Sequence, residues 1–141
     1  MKFQGNSQVV IDGNGRVSFP SCFRSLVPSE KKFYLSIGPM NTIHLRREVD
    51  YDIWVETLYK LERTSENYAK RRKLLHNSHE IVLDDKQNRF LLPPNLKEFA
   101  GIDKEVVFSG DGDKVVLMNP ERAKDYTLSP SDSFSGDEWI L

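Results

Sequence analysis

The stretch Asp12-Gly13-Asn14-Gly15-Arg16 runs directly into Val17-Ser18-Phe19-Pro20. It returns as Asp85-Lys86-Gln87-Asn88-Arg89, which runs into Phe90-Leu91-Leu92-Pro93. The aspartate, the arginine and the proline of the two stretches are each 73 residues apart. Because self-similarity at a fixed spacing is the mark of repeated structural units, the sequence indicates an internal duplication.

Each copy follows the same plan of short elements. An apolar strand, at residues 8–11 and again at 80–83, leads into the acidic turn, and a second short strand leads out of it to the proline. Gly15 and Asn88 hold the fourth position of the turn, and these residue types accept a left-handed backbone most readily. The proline suits the first position of a helix. The residues that we expect these two helices to turn toward the core are Phe23, Leu26, Leu96 and Phe99.

The rest of the chain predicts two β-hairpins and three further helices. The hairpin strands are residues 32–37 with 42–46, and residues 104–109 with 114–118. One helix begins at Asp50 as its N-cap, the next covers residues 66–76, and a short one covers 120–126. The further side chains expected in the core are Cys22, Phe33, Ile53, Trp54, Thr57, Leu58, Leu61, Tyr68, Leu74 and Leu75.

Composition narrows the class of protein. The chain has 141 residues, of which 38% are hydrophobic, enough for one compact core shared by two half-units. No apolar run approaches the ~20 residues of a membrane helix, and the start of the chain lacks the apolar core of a signal peptide. The single cysteine cannot form an internal disulfide. These features predict a cytoplasmic protein with no membrane segment.

Charge is unevenly distributed along the chain. The formal net charge is −1, yet from Asp125 onward there are four acidic residues and no lysine or arginine. The rest of the chain therefore carries +3, so a mildly basic body precedes an acidic tail. We expect one domain over residues 1–126, built from repeats at about 1–63 and 79–126 that a helix at 64–78 joins. Residues 127–141 are expected to be disordered, with Trp139-Ile140-Leu141 as a short sticky end.

Two Asp-x-x-x-Arg loops, each followed by a short apolar strand and a proline-led helix, resemble the two motifs of the MraZ family. Phe3-x-Gly5, Leu92-Pro93-Pro94-Asn95-Leu96 and Lys104-Glu105-Val106-Val107 fit the same resemblance, which covers about residues 1–126. It implies an α+β fold, namely a duplicated AbrB-like swapped-hairpin, double-psi β-barrel with peripheral helices, in which one chain supplies both halves. Asn88 departs from the glycine that is common in the family at this position.

The resemblance also implies a function. MraZ-like proteins form ring-shaped homo-oligomers and act as bacterial transcriptional regulators. They bind double-stranded DNA at short direct repeats in the promoter of the division and cell-wall gene cluster, so the expected location is the cytoplasm in association with the nucleoid. By the resemblance, the motif residues of this chain are Asp12, Arg16, Asp85 and Arg89.

The physical chemistry of the loops suits this role. Arginine presents a planar fork of donors that matches phosphate oxygens or guanine edges, and a rigid turn fixes the direction of that fork. The aspartate can cap the turn and orient the arginine. The alternative is that Asp12–Arg16 and Asp85–Arg89 are ion pairs within each loop that serve only the turn.

Other polar residues are candidates for the same DNA-binding surface. Asn14 and Lys86 lie in the loops, and Arg24 and Lys97 occupy equivalent positions after the two prolines. Arg71 and Arg72 belong to the basic run 70–73, which can equally be a solvated helix face, because neighbouring helical residues point in different directions.

Other functional classes have little support. His76-x-x-His79 and the distant Cys22 do not form a zinc ligand set, and Gly110-Asp111-Gly112-Asp113 reads as a hairpin turn rather than a calcium loop. No nucleophile elbow, P-loop or dinucleotide fingerprint is present, so we expect no enzyme, cofactor, metal or small-molecule substrate. A protein-interaction module resembling an antitoxin, with the acidic tail as its docking peptide, is the alternative to the regulator.

Overall fold

The structure is a computed structural model that describes residues 2–133; the predicted tail residues Trp139-Ile140-Leu141 lie outside this range. The first half contains β1 (Asn6–Val10), β2 (Arg16–Ser18), α1 (Ser21–Arg24), β3 (Lys32–Gly38) and β4 (Thr42–Arg47). Two helices follow, α2 (Glu48–Tyr59) and α3 (Ser65–His76). The second half contains β5 (His79–Val82), β6 (Arg89–Leu91), α4 (Pro94–Phe99), β7 (Glu105–Asp111) and β8 (Lys114–Met118). Helix α5 (Pro120–Ala123) and a 3-10 turn (Lys124–Tyr126) come last.

The fold is mixed α/β with antiparallel sheets, as predicted for the α+β class. Six strands form one open sheet in the order β1-β7-β8-β4-β3-β5, and β2 pairs with β6 in a separate two-stranded ribbon. The order of the large sheet is unchanged when each strand of one half is exchanged for its counterpart in the other. The first strand of each half pairs with the third strand of the other half, so neither half completes its own sheet.

The core lies between the large sheet and the ribbon, and phenylalanine rings fill much of it. Phe19 packs against Phe33 with ring centroids 5.2 Å apart and against Phe108 at 6.2 Å. Phe90 meets Phe108 edge to face at 6.4 Å. Such offset and edge-on contacts are the favoured geometry for aromatic pairs, and they join residues from both halves into one core. The core position predicted for Phe33 is confirmed.

The proline-led helices bury only the first residue of each predicted apolar pair. Phe23 and Leu96 are buried, whereas Leu26 and Phe99 are exposed. Leu26 leaves the predicted face because it lies beyond the end of α1 at Arg24, and Phe99 is the last residue of α4. Cys22 is exposed rather than buried, because it lies beside Phe23 on a helix of one turn.

Helix α2 faces the sheet with only part of the predicted stripe: Trp54 and Leu58 lie on that face, together with Tyr51, which was not predicted there. Tyr51 stacks on Tyr34 at 4.2 Å, the Arg46 guanidinium lies 4.7 Å from the Trp54 ring centroid, and Leu58 is buried. Ile53 is instead 56% exposed, and Thr57 and Leu61 are exposed with it. Asp50 is not the N-cap: Arg47 holds that position, and its Nε donates to Asp50 Oδ2 at 2.9 Å.

Helix α3 contributes no buried residue. Tyr68, predicted in the core, is 56% exposed, and Leu74 and Leu75 are only half-buried. The helix begins at its own cap, where Thr64 Oγ1 accepts the Asn67 N–H at 3.0 Å. The 3.6-residue periodicity is a poor guide here because α3 does not pack its apolar stripe into the core of the described chain.

None of the helices in residues 2–133 combines the length and the hydrophobicity that a membrane span requires.

Candidate nucleic-acid interface

The β2–β6 ribbon brings the two motif arginines onto one face. Its register pairs Arg16 with Leu91, Val17 with Phe90 and Ser18 with Arg89. Val17 and Phe90 form the buried inner face. Since successive side chains of a strand alternate between faces, Arg16 and Arg89 share the outer face. They are diagonal neighbours there, a relationship that places side chains about 7–8 Å apart.

The first loop is organised by Asp12. Its Oδ1 accepts the backbone N–H of Asn14 at 2.8 Å and that of Arg16 at 2.9 Å, and the turn closes through Gly15, whose φ is +80°. The bond from Arg16, followed by the bond from Asn14, lowers the pKa of Asp12 below its ordinary value. Asp12 therefore caps the turn, as the sequence predicted.

The second loop is organised by Asp84 and not by Asp85. Asp84 Oδ1 accepts the backbone N–H of Gln87 at 2.9 Å and that of Arg89 at 3.2 Å, and Oδ2 accepts Arg89 Nε at 3.1 Å. The Gln87 bond, with that of Arg89, lowers the pKa of Asp84 to about 2. Asp85 is exposed and pairs with Lys31. The prediction that Asp85 caps its loop is therefore wrong.

The reason is that the second loop is one residue longer than the first. The capping aspartate precedes the arginine by four residues in the first loop and by five in the second. A signal for this shift was present in the sequence: Asp12 directly follows Ile11, and Asp84 directly follows Leu83. Both of these hydrophobic residues are buried, which fixes the residue after them at the start of the turn.

Neither of the ion pairs of the alternative interpretation, Asp12–Arg16 and Asp85–Arg89, forms. Arg89 instead reaches across the ribbon, with Nη1 3.6 Å from Asp12 Oδ2 while its Nε holds Asp84. Arg16 is exposed, and within residues 2–133 its side chain makes no ion pair or hydrogen bond. The two loops and the outer face of the ribbon are called the paired-loop surface below. In this surface the guanidinium of Arg16 has no partner within residues 2–133, and the guanidinium of Arg89 joins the carboxylates of the two loops.

Asn88 completes the second loop with help from the first half of the chain. It adopts a left-handed backbone with φ +53°, and its Oδ1 accepts Arg24 Nε at 3.0 Å. The Arg24 guanidinium also donates to the carbonyl oxygen of Glu30 at 2.7 Å and to that of Val27. Arg24, a candidate phosphate ligand by sequence, thus has its donors turned inward.

The other candidates lie in different surroundings. Asn14 and Lys86 are exposed at the tips of the two loops, and Lys97 is half-buried on α4. Arg71 is stacked between two tyrosines, 4.5 Å from the ring centroid of Tyr59 and 5.3 Å from that of Tyr68. Arg72 is exposed on the same helix. The ring contacts give Arg71 a structural role in joining α2 to α3.

His76 and His79 lie apart from the acidic residues of the β7–β8 turn. Among residues 2–133, no three His, Cys, Asp or Glu side chains gather as a metal site would require. His76 is exposed at the end of α3 and His79 is half-buried in β5. Asp111 and Asp113 both pair with Lys114 Nζ, at 3.5 and 3.2 Å, around the tight turn that joins β7 to β8.

Comparison with known proteins identifies the family. No family model matches the chain. It is 30% identical over 133 residues to the transcriptional regulator MraZ of Mycoplasmoides gallisepticum, covering 94% of this chain and 92% of that protein. It is 30% identical over 120 residues to the transcriptional regulator MraZ of Lachnoclostridium phytofermentans, and 29% identical over 132 residues to that of Syntrophomonas wolfei. These matches cover 85% and 94% of this chain, and 83% and 91% of the two proteins. The chain belongs to the MraZ family of transcriptional regulators.

Proposed function

We propose that this protein regulates transcription by binding double-stranded DNA through the paired-loop surface. The observation that carries the proposal is Arg16: an exposed guanidinium with no partner in residues 2–133, set on a short ribbon whose other face is buried. Its donors are available for a phosphate or a guanine edge. A rigid mounting lowers the ordering cost of binding. Asn14 and Lys86 flank it at the loop tips.

The charges of the surface point to binding by several copies at once. The surface of one copy has no net charge, because its three carboxylates balance its three cationic side chains, which are Arg16, Lys86 and Arg89. One copy therefore offers hydrogen-bond donors in fixed positions but no excess of positive charge. A ring that presents several such surfaces to short direct repeats gains affinity through avidity. We infer this mode of binding, in the cytoplasm and on the nucleoid, at the promoter of the division and cell-wall genes that the family resemblance implies.

Helices α2 and α3 offer a surface for the assembly of such a ring. Five large hydrophobic side chains on or between them are exposed, a grouping that is typical of a protein contact. They are Val49, Ile53, Tyr59, Leu61 and Tyr68. The occupant we propose is a second copy of this chain, because a homo-oligomer needs a surface for self-association. Leu58 is the one buried residue of these two helices, so most of their apolar side chains are available for such a contact.

Analytical ultracentrifugation tests the self-association surface. Ile53→Asp is expected to lower the mass of the assembly, because a charge in an apolar contact loses its hydration. Leu128→Asp is the matched control, because Leu128 is 81% exposed and lies along a groove beside Asn6 of β1 and Val107 of β7, not on these helices. An unchanged mass for Ile53→Asp in a folded protein would remove α2 from the interface.

The strand pairing supports the duplicated swapped-hairpin barrel as the finer description of the fold. Each half lends its first strand to the other half's hairpin, and the ribbon register is symmetric about the pair Val17–Phe90. The two repeats then make one domain over residues 1–126 with the α3 region as linker, and residues 127–141 form an acidic tail.

Fluorescence anisotropy on DNA from upstream of the protein's own gene, beside a scrambled duplex, tests the function. Binding that prefers the native duplex and weakens steeply with salt is expected, because phosphate contacts release counterions. Equal binding to both duplexes would contradict sequence specificity. No binding even at low salt would overturn the regulator and favour the protein-interaction alternative.

A further inference from the structure

We propose that the two loops do different work: Arg16 contacts the DNA, and Arg89 is a positioning residue that locks the loops together and so aims Arg16. This division of labour rests on the proposed DNA-binding function. It assigns the second loop's functional carboxylate to Asp84, and it leaves Asp85 outside the mechanism.

The first support is an asymmetry in a surface that the two repeats otherwise build alike. Two carboxylates converge on Arg89: Asp84 Oδ2 at 3.1 Å from Nε, and Asp12 Oδ2 at 3.6 Å from Nη1. The symmetry-related bridge would join Arg16 to Asp84, and in the described part of the chain it does not form. One arginine is therefore held twice, while the other is held by nothing.

The second support is electrostatic. With Asp12 and Asp84 beside it, the Arg89 charge is more than balanced, so it adds little attraction for phosphate. No carboxylate pairs with Arg16 within residues 2–133, and its charge reaches solvent directly. Arg16 therefore supplies both the attraction for the phosphate and the direct contact with the DNA.

The third support is the double use of Asp12. Its Oδ1 accepts the two N–H groups that shape the first loop, including the N–H of Arg16 itself, and its Oδ2 faces Arg89. Arg89 thereby orients the carboxylate that sets the backbone at Arg16. A guanidinium can hold two carboxylates at once because its donors form a fixed fork, whereas an ammonium is a point charge.

Substitution of Asp84 separates positioning from simple electrostatics by the sign of the effect. Asp84→Asn keeps an oxygen that can cap the loop but loses the charged acceptor for Arg89. If Arg89 acts by position, DNA affinity falls several-fold. If only charge matters, removal of a carboxylate raises affinity. Asp85→Asn is the matched control, because it removes the same charge without a contact to Arg89.

Substitution of the two arginines gives a second readout. Arg16→Ala is expected to weaken binding on the order of 10-fold and to lower the salt slope by about 0.9 for a lost phosphate contact. Arg89→Lys is expected to weaken binding while the slope stays unchanged, because the charge remains and only the fork is lost. Full affinity for Arg89→Lys, or for Asp84→Asn, would overturn the proposal.

A measurement without DNA separates failure of this inference from failure of the proposed function. Urea unfolding of Asp12→Asn, Arg89→Lys and the double variant forms a double-mutant cycle. Non-additive losses are expected, with the double variant losing less than the two single losses together. Additive losses would overturn the loop lock even if DNA binds. Non-additive losses without any DNA binding would keep the lock but end the assignment of Arg16 as a DNA contact.

Discussion

Arg24 and Asn88 lie 64 residues apart in the chain, and Arg24 Nε donates a hydrogen bond to Asn88 Oδ1 at 3.0 Å. The bond joins the helix of the first repeat to the loop of the second. It fixes the side chain of a residue whose backbone is left-handed, with φ +53°. The first loop has Gly15 at the equivalent place, where no side chain needs support. Asn88 therefore replaces glycine in a left-handed conformation, and Arg24 holds its side chain by a hydrogen bond.

We expect Arg24→Ala to lower the free energy of unfolding by about 2 kcal/mol, because a charged donor leaves three acceptors without their partner. Lys97→Ala is the control, since Lys97 occupies the equivalent position in the second repeat and its side chain makes no hydrogen bond within residues 2–133. That change should cost less than about 0.5 kcal/mol. Urea unfolding checks both values, and equal losses would contradict the structural role of Arg24.

Acid should weaken the second loop through Asp84. Its pKa in the folded protein is about 2, lowered first by the Gln87 N–H, and an unfolded aspartate has a pKa of about 3.9. A carboxylate with a lowered pKa stabilises the fold fully above the unfolded pKa, and this stabilisation is lost as the pH falls through the folded pKa. Between about pH 4 and pH 2, Asp84→Asn should therefore lose less stability than the wild type.

Unfolding by urea at a series of pH values measures this difference, with Asp85→Asn as the control for a charge removed without loss of a loop bond. Identical acid profiles for Asp84→Asn and the wild type would contradict the role of Asp84 as the loop's capping carboxylate.

His44 should make stability depend on pH in a higher range. Burial, followed by the charge of Arg46, lowers the pKa of His44 to about 4 from an ordinary value of 6.5. Between those values the unfolded chain binds a proton that the folded protein does not. Stability should then fall as the pH drops from about 6.5 to 4, by on the order of 3 kcal/mol, and level off below.

His44→Gln is expected to flatten that part of the profile, and His76→Gln, on the exposed end of α3, serves as the control. Arg46, Lys114, Asp111 and Asp113 are the charged groups that act on His44, and they remain in both variants. A profile of His44→Gln that still falls over this range would assign the effect to another group.

Much of the fold is predictable because the local sequence determines where its strands and turns lie. Alternating apolar residues and turn signals placed all eight strands within a few residues of their observed bounds. Asp12 as the loop cap and Phe33 in the core follow from the same reasoning. The exchange of first strands between halves is a long-range pairing that no local pattern in β1 or β5 reports.

The errors have physical causes of their own. The constant 73-residue spacing between the two motifs conceals a one-residue insertion before Arg89, so the spacing predicts Asp85 as the capping residue where the structure has Asp84. The predicted stripes of α2 and α3 assume that both helices lie against the core, whereas Leu58 is the one buried residue of α2 and α3 has none. The DNA contacts, the ring and the direct repeats remain predictions.

The most direct test of the central claim is the salt dependence of DNA binding by Arg16→Ala. Anisotropy at several salt concentrations would compare it with the wild type and with Lys124→Ala, an exposed lysine on the 3-10 turn, outside both the paired-loop surface and helices α2 and α3. We expect Arg16→Ala alone to lose affinity, on the order of 10-fold, with a shallower salt slope. Wild-type affinity and slope in a folded Arg16→Ala protein would contradict the claim that the paired-loop surface binds DNA through this residue.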